Sequence, residues 1–485
     1  MLEITGFIVS VIGFLITIII LIYNYFKTNT YRKKNRLEKI FENVCKSPAT
    51  NISKYKRTYN KLFSYYELEN TIKNEWNSIN VDYFRKNLKG YKIKIRRKND
   101  LLYKFPVVYK DGWFKSSNPN LAINIKDPKI KLEEFNRKNH LLYERTKEFL
   151  ANFDVLRYSE FLRSIDKKIW NDVTFDLKNI DKVGDKLELE FIKGCYYNYV
   201  DFYELILKEL YIYLYTHDDK DNIKQEFSEL KNLLPERFII REKIGTNFDN
   251  FNDRPTKIGI NIFVLMKMEE GVGPDRNKDK YCTFFQKRGS DQIEFPGFYH
   301  VVPAGTFQPL STFTREIVNR QFNFSYTILR ELLEEVYHLD EADKKLRRAD
   351  PFQIFKMKKG EITVKKNGKE VKESFIPGEL LGLSDSTEID DNNDHYEVIP
   401  TGFLIDLTTL KPELTVVLHI KDNKVYQKSK KFFGGNWEGS IWEVEIGSDN
   451  FKNFINEYLN IENFLPAGAV AVAEGINYYN KITRK

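Results

Sequence analysis

The sequence predicts three parts: one membrane-spanning helix, a cytoplasmic α+β region, and a C-terminal α/β/α sandwich. Three observations carry this. An uncharged apolar run covers Ile4 to Tyr23, a strongly basic stretch follows it, and the C-terminal half alternates like strands around one dominant helix at 325–337. The expected divisions are an anchor at 1–26, a basic juxtamembrane and accessory region at 27–239, and a strand-rich domain at 240–485.

The first element, ITGFIVSVIGFLITIIILIY, has Thr5, Ser10 and Thr17 as its only polar side chains before Tyr23. A helix of this length spans roughly 30 Å, the hydrocarbon thickness of a bilayer. A cleaved secretory signal would need basic residues before the apolar run, and Glu3 is the only charge there. Gly6 and Ser10 have the spacing of a small-xxx-small helix contact, a spacing also common by chance. Residues 27–60 hold ten Lys or Arg against Glu38 and Glu42, so this stretch accounts for the chain's formal charge of +8. Positive charge beside a span marks the cytoplasmic side and draws anionic lipid. The expected topology is therefore single-pass, with the N-terminus out and the bulk of the chain cytoplasmic. The basic balance then reports topology and a lipid-bilayer partner rather than binding of a nucleic-acid polymer. Cys45, Cys195 and Cys282 are few and irregularly spaced, which fits a reducing compartment and gives no zinc pattern.

The accessory region begins with helical spacing over 29–80 and a strand-like run near Leu101–Tyr109. A further helix covers about 131–165. Thr174–Ile180 and Leu187–Ile192 alternate as two strands joined through Gly184-Asp185, and 199–215 reads as a helix. In the C-terminal domain Ile258–Met266 and Tyr281–Gln286 form one strand pair. Glu361–Lys372 is a hairpin turning at Asn367-Gly368. Phe403–Leu407 and Leu414–His419 are further strands, and a helix over 466–480 closes the chain. Strands around one dominant helix give an α+β or α/β/α arrangement.

That helix carries the sequence Arg330-Glu331-Leu332-Leu333-Glu334-Glu335. Its three glutamates are related by i, i+3 and i+4 and share one face, while Leu329, Leu332, Leu333 and Val336 face a core. Three carboxylates held together repel one another unless a cation intervenes. Hard divalent ions such as Mg²⁺ or Mn²⁺ take such oxygen ligands. An ordinary acidic surface helix is the competing reading of these six residues alone. Upstream, Gly297 and Gly305 fall among strand-like residues, where glycine marks a bend or a close backbone approach. Arg288 ends an apolar strand.

Here the chain resembles the Nudix hydrolases, whose signature is a glycine loop followed by a helix with R-E-x-x-E-E. The resemblance places Arg330, Glu331, Glu334 and Glu335 on the helix and Gly305 on the loop glycine, over about residues 245–480. It implies that Glu331, Glu334 and Glu335 hold divalent metal and carry catalysis if the domain is active. It also implies that Arg330 orients a glutamate, with Arg288, Gly305 and Arg330 as ligand-binding residues. The chain departs from the pattern in three places. Gly305 and Arg330 are separated by 24 residues, longer than the family loop. Ser311 stands where the family has a glutamate, with Glu316 a substitute from the insertion, and Tyr337 replaces a helix-terminating glycine. VVPAGTFQP with its long loop is also similar to the SMODS-associated Nudix domains, which accompany cyclic-oligonucleotide synthases in bacterial antiviral (CBASS) systems. A span followed by such a domain is the layout of their membrane-anchored effectors. That resemblance implies a bacterial inner-membrane location, a cyclic-nucleotide ligand made by a nucleotidyltransferase, homo-oligomerisation, membrane disruption and abortive infection. The alternative is a membrane-bound Mg²⁺-dependent pyrophosphatase acting on nucleoside diphosphate derivatives. His300 and His338 read as core or surface residues, Trp437 and Trp442 as core. Glu413 and Glu438 fall in expected turns, where a late-strand base could sit.

Overall fold

The computed structural model describes parts of residues 76–130, most of 173–206 and most of 248–483, with 310–320 and 338–361 outside the description. The expected span Ile4–Tyr23, the basic stretch 27–60 and the helix at 131–165 lie outside the described residues. So do Ser311, Glu316, His338, Trp437 and Glu438.

The accessory region contributes β1 (Asn77–Ser78), α1 (Val81–Asn87) and β2 (Val107–Tyr109). It also contributes the short strands β3 (Ala122–Ile123) and β4 (Lys129–Ile130) and the long antiparallel pair β5 (Val173–Val183) and β6 (Lys186–Cys195). Gly184 turns that pair at φ +61°, a backbone angle that favours glycine. The expected helix at 199–215 starts as α2 (Tyr196–Tyr199) and widens into a π-helical turn at Val200–Glu204.

The C-terminal half begins with β7 (Gly259–Glu269), β8 (Lys280–Arg288), β9 (Tyr299–Val301) and β10 (Ala304–Thr306). Helix α3 (Phe324–Glu331) follows, continued by a π-helical turn over Leu332–Val336. Next come the hairpin β11 (Ile362–Lys366) and β12 (Lys369–Glu373), whose Lys366 pairs Lys369 across Asn367-Gly368, and the one-turn α4 (Pro377–Leu380). The chain closes with β13 (Tyr396–Asp406), β14 (Lys411–Ile420), α5 (Asn423–Ser429), β15 (Gly439–Glu445), α6 (Asp449–Tyr458) and α7 (Pro466–Thr483). Asn323, Asp422 and Ser448 cap α3, α5 and α6 by accepting from the backbone N–H of Tyr326, Lys424 and Phe451.

The main sheet runs β1-β2-β13-β14-β7-β8-β15, with β10 beside β7 and β9 beside β8. Strands β7 and β14 pair in parallel from Gly259 with Glu413 to Met266 with Ile420. Both are buried on both faces over most of their length, which explains their near-continuous apolar runs. Strand β2, from the accessory region, is hydrogen bonded to β13 at the far side of the sheet. The aromatic side chains of Phe175 and Phe191 on β5 and β6 meet Phe307 and Phe322. One hydrophobic cluster runs from Trp76 to Ile476 through both regions.

The expected fold class, a single membrane helix ahead of an α+β region and a sandwich, is corrected. Among the described residues no helix is long and apolar enough to cross a membrane, and the fold is mostly a mixed sheet with few helices. The longest described helix, α7, spends its apolar residues on the sheet. It carries Glu474 among its buried positions, and Asn480 and Lys481 in its last turn. The single-pass inner-membrane location, with its N-terminus-out orientation, falls with that expectation, and the segment on which it rested lies outside the described residues.

Candidate functional site

Helix α3 and its π-helical continuation bring the motif residues against β10. Arg330, Glu331, Glu334 and Glu335 are all buried, Arg330 to 1% exposure. Arg330 Nη2 donates to Glu331 Oε1 at 2.5 Å, and its Nη1 donates to Glu334 Oε2 at 3.4 Å. Glu335 Oε2 accepts from the backbone N–H of Ala304 at 2.9 Å. The next residue of β10 is Gly305, and a Cβ there would overlap the Glu331 carboxyl. The glycine and the glutamate helix that the sequence paired by motif therefore meet in space across the long insertion. The φ of Gly305 is not positive, so its role is close approach rather than turn geometry.

The carboxylates do not simply share one helical face. After Glu331 the backbone adopts i→i+5 spacing, which delays the next turn and separates the directions of Glu334 and Glu335. Glu334 reaches Arg330 and Glu335 reaches the strand. The expected role of Arg330, holding one carboxylate, extends to two. Tyr337, in place of a terminating glycine, is fully buried at the end of the π-helical turn. Its hydroxyl lies 3.1 Å from Ser429 Oγ, and its ring approaches Phe433 at 5.6 Å. At the end of this helix the Tyr337 side chain docks on α5 and Phe433.

The other expected site residues are placed elsewhere. Arg288 ends β8, half-buried, with its backbone paired to Gly297 and Phe298 at the end of β9 remote from β10. His300 is a buried core residue whose ring sits where a Cβ on Gly468 of α7 would go. Glu413 was expected in a turn and instead opens β14. Its Oε1 is 3.2 Å from Lys411 Nζ, and its Oε2 accepts from Asn261 Nδ2 at 2.8 Å. Trp442, expected in the core, is 39% exposed. It stands on the terminal strand of the sheet, where its ring has a neighbour on one side.

A second buried polar cluster escaped the sequence reading. Lys257 Nζ lies 4.4 Å and 4.9 Å from the ring centroids of Tyr196 and Tyr199, and Lys411 Nζ lies 5.7 Å from Tyr199. Asp176, which accepts from Thr174 Oγ1 and the Thr256 N–H, has its carboxyl pushed up to about 6 by burial. Asp406 is pushed up to about 7, by burial first and by Glu413 in lesser part, against the lowering effect of Thr408 and Lys411. No local periodicity marks these residues. They converge only because α2, β5 and the starts of β7 and β14 meet, and a lone charge within an apolar run is the only local sign.

The oxygen donors of Glu331, Glu334 and Glu335 are the right chemistry for a hard divalent cation. Their placement is a different matter. Two carboxylates turn to the Arg330 guanidinium and one to a backbone amide. Among the described residues no group of three or more Asp, Glu, His or Cys side chains is arranged to hold a metal ion. The motif residues as placed form a clasp between helix and strand in which one guanidinium faces two carboxylates and a backbone amide holds the third. No family model matches the chain, and no curated protein matches it.

Proposed function

We propose that the C-terminal half is a Nudix-like binding domain for a nucleotide ligand, a cyclic oligonucleotide of the kind a nucleotidyltransferase makes. Ligand binding changes self-association and serves as the effector step of an antiviral response. The observation that carries the proposal is the clasp of Arg330, Glu331, Glu334 and Glu335 on Ala304 and Gly305. The motif's parts are kept together in space, which supports a retained nucleotide-handling fold. One oxygen of each carboxylate is held, by Arg330 or by a backbone amide, which favours binding over rapid turnover. Specific ligand recognition can drive assembly only if the bound state associates differently from the free one.

The competing reading, a Mg²⁺- or Mn²⁺-dependent pyrophosphatase, is favoured by the three glutamates lying within one short helical stretch beside a glycine strand. It requires the carboxylates to leave Arg330. The test is titration calorimetry of the purified full chain with cyclic di- and trinucleotides, alongside phosphate-release assays on nucleoside diphosphate derivatives with each metal. Tight binding with little turnover, and a ligand-dependent change in sedimentation, is the expected result. Fast turnover abolished by Glu334→Gln with Glu335→Gln would replace the receptor by the enzyme.

A further inference from the structure

The exposed Trp442 belongs to an aromatic array on the face of the sheet that carries α6. Its ring lies 5.6 Å from that of Tyr299 on β9. Tyr299 in turn lies 4.3 Å from Tyr458 at the end of α6, with an interplanar angle of 32°. Phe454 backs both tyrosines at 5.5 Å and 5.2 Å and stacks on Phe285 at 4.2 Å. Strand register places these groups on one face: Trp442 pairs Phe285, and Tyr299 pairs Lys287. Lys287 is exposed, and its Nζ lies 5.7 Å from the Tyr299 ring centroid.

Among the described residues only Trp442 and Val183 are large apolar side chains left exposed. An exposed tryptophan is not itself a site. Here, though, it is held at the edge of an aromatic stack built from four separate elements, with the Lys287 ammonium against the neighbouring Tyr299 ring. A flat π-face next to a cation fits a nucleobase with its attached phosphate. The base stacks on an aromatic ring and the phosphate meets the lysine. An aliphatic or acidic partner would use only one of these two features.

We propose that Trp442, supported by Tyr299 and Tyr458 and flanked by Lys287, is a base-stacking subsite for a nucleotide phosphate, separate from the Arg330 clasp. This rests on the nucleotide-binding reading above and adds where a base is read. The clasp sits at β10, whereas the platform lies on β8, β9 and β15.

The experiment is fluorescence and calorimetric titration of the full chain with AMP, GMP, adenosine, guanosine and cyclic di-AMP. Wild type is compared with Trp442→Ala, Trp442→Phe and Lys287→Ala. Loss of one stacked base predicts weakening of about 5- to 150-fold for Trp442→Ala. Trp442→Phe is expected to retain most affinity, and the Tm of both should stay near wild type because the side chain is exposed. Lys287→Ala should weaken AMP while leaving adenosine unchanged. If wild type binds none of the probes, the nucleotide-receptor reading and the subsite fall together. Binding by wild type that persists undiminished in Trp442→Ala overturns the subsite alone. A Trp442→Ala chain that loses self-association but keeps its nucleotide affinity also overturns it, and makes the platform a contact between copies.

Discussion

Replacing Gly305 by alanine tests whether the glycine of β10 exists to admit the Glu331 carboxyl. A Cβ at that position would overlap the carboxyl, so the glutamate must move. That carboxyl accepts the 2.5 Å bond from Arg330 Nη2, and both residues are buried, at 1% and 8% side-chain exposure. Separating a buried pair without replacing either partner costs about 3–5 kcal/mol. Arg330 keeps its Glu334 contact at 3.4 Å, so the lower end applies, about 3 kcal/mol. At 2–4 °C per kcal/mol for a domain of about 150–250 residues, Gly305→Ala should lower Tm by about 6–12 °C. The assay is a double-mutant cycle by differential scanning calorimetry. In a Glu331→Ala background the overlap is gone, so Gly305→Ala should cost less than about 1 kcal/mol there. Equal destabilisation by Gly305→Ala in both backgrounds would refute the reasoning and place the role of the glycine in the backbone of β10 instead.

Three further outcomes follow from the same structure. Arg330→Met should destabilise by about 3–5 kcal/mol, because two buried carboxylates lose their cation; adding Glu331→Gln and Glu334→Gln should recover part of the loss in chemical denaturation. Asp406 should make stability fall as pH rises. Burial raises its folded-state carboxyl to about 7 from an ordinary value of 3.8, so between these values the folded chain keeps a proton the unfolded chain has lost. The displacement sets an upper limit of about 4 kcal/mol, so Asp406→Asn should stabilise the protein at pH 8 and the gain should vanish toward pH 4 in urea titrations. Tyr337→Phe removes the hydroxyl partner of Ser429 while keeping the ring against Phe433, and should cost about 1 kcal/mol by thermal melting.

Part of this protein was legible as local pattern. The alternation at Thr174–Ile180 and Leu187–Ile192 became β5 and β6, and the expected hairpin became the antiparallel pair β11 and β12. The helix expected at 325–337 became α3 and its π-helical continuation. Each of these depends on residues within one turn or one strand, so the chain's own sequence is enough to set it. The uncharged run at Ile4–Tyr23 was an equally local signal; it lies outside the described residues, among which no helix is long and apolar enough to cross a membrane.

The rest needed the third dimension. Spacing on an ideal helix put the three glutamates on one face, but the helix widens into a π-helical turn at Leu332–Val336, and Glu334 and Glu335 go to different partners. The parallel pairing of Gly259 with Glu413 joins residues more than a hundred positions apart, and with it the buried contact of Lys411, Glu413 and Asn261. The exposure of Trp442 follows from β15 being the terminal strand of the sheet, a property of strand order that residue type does not encode. Periodicity and turn chemistry act over a few residues and are written in the sequence. Strand order, strand register and the burial of a charge are decided by which distant segments cover one another, because the free energy of removing surface from water belongs to the assembled layers and not to any one segment.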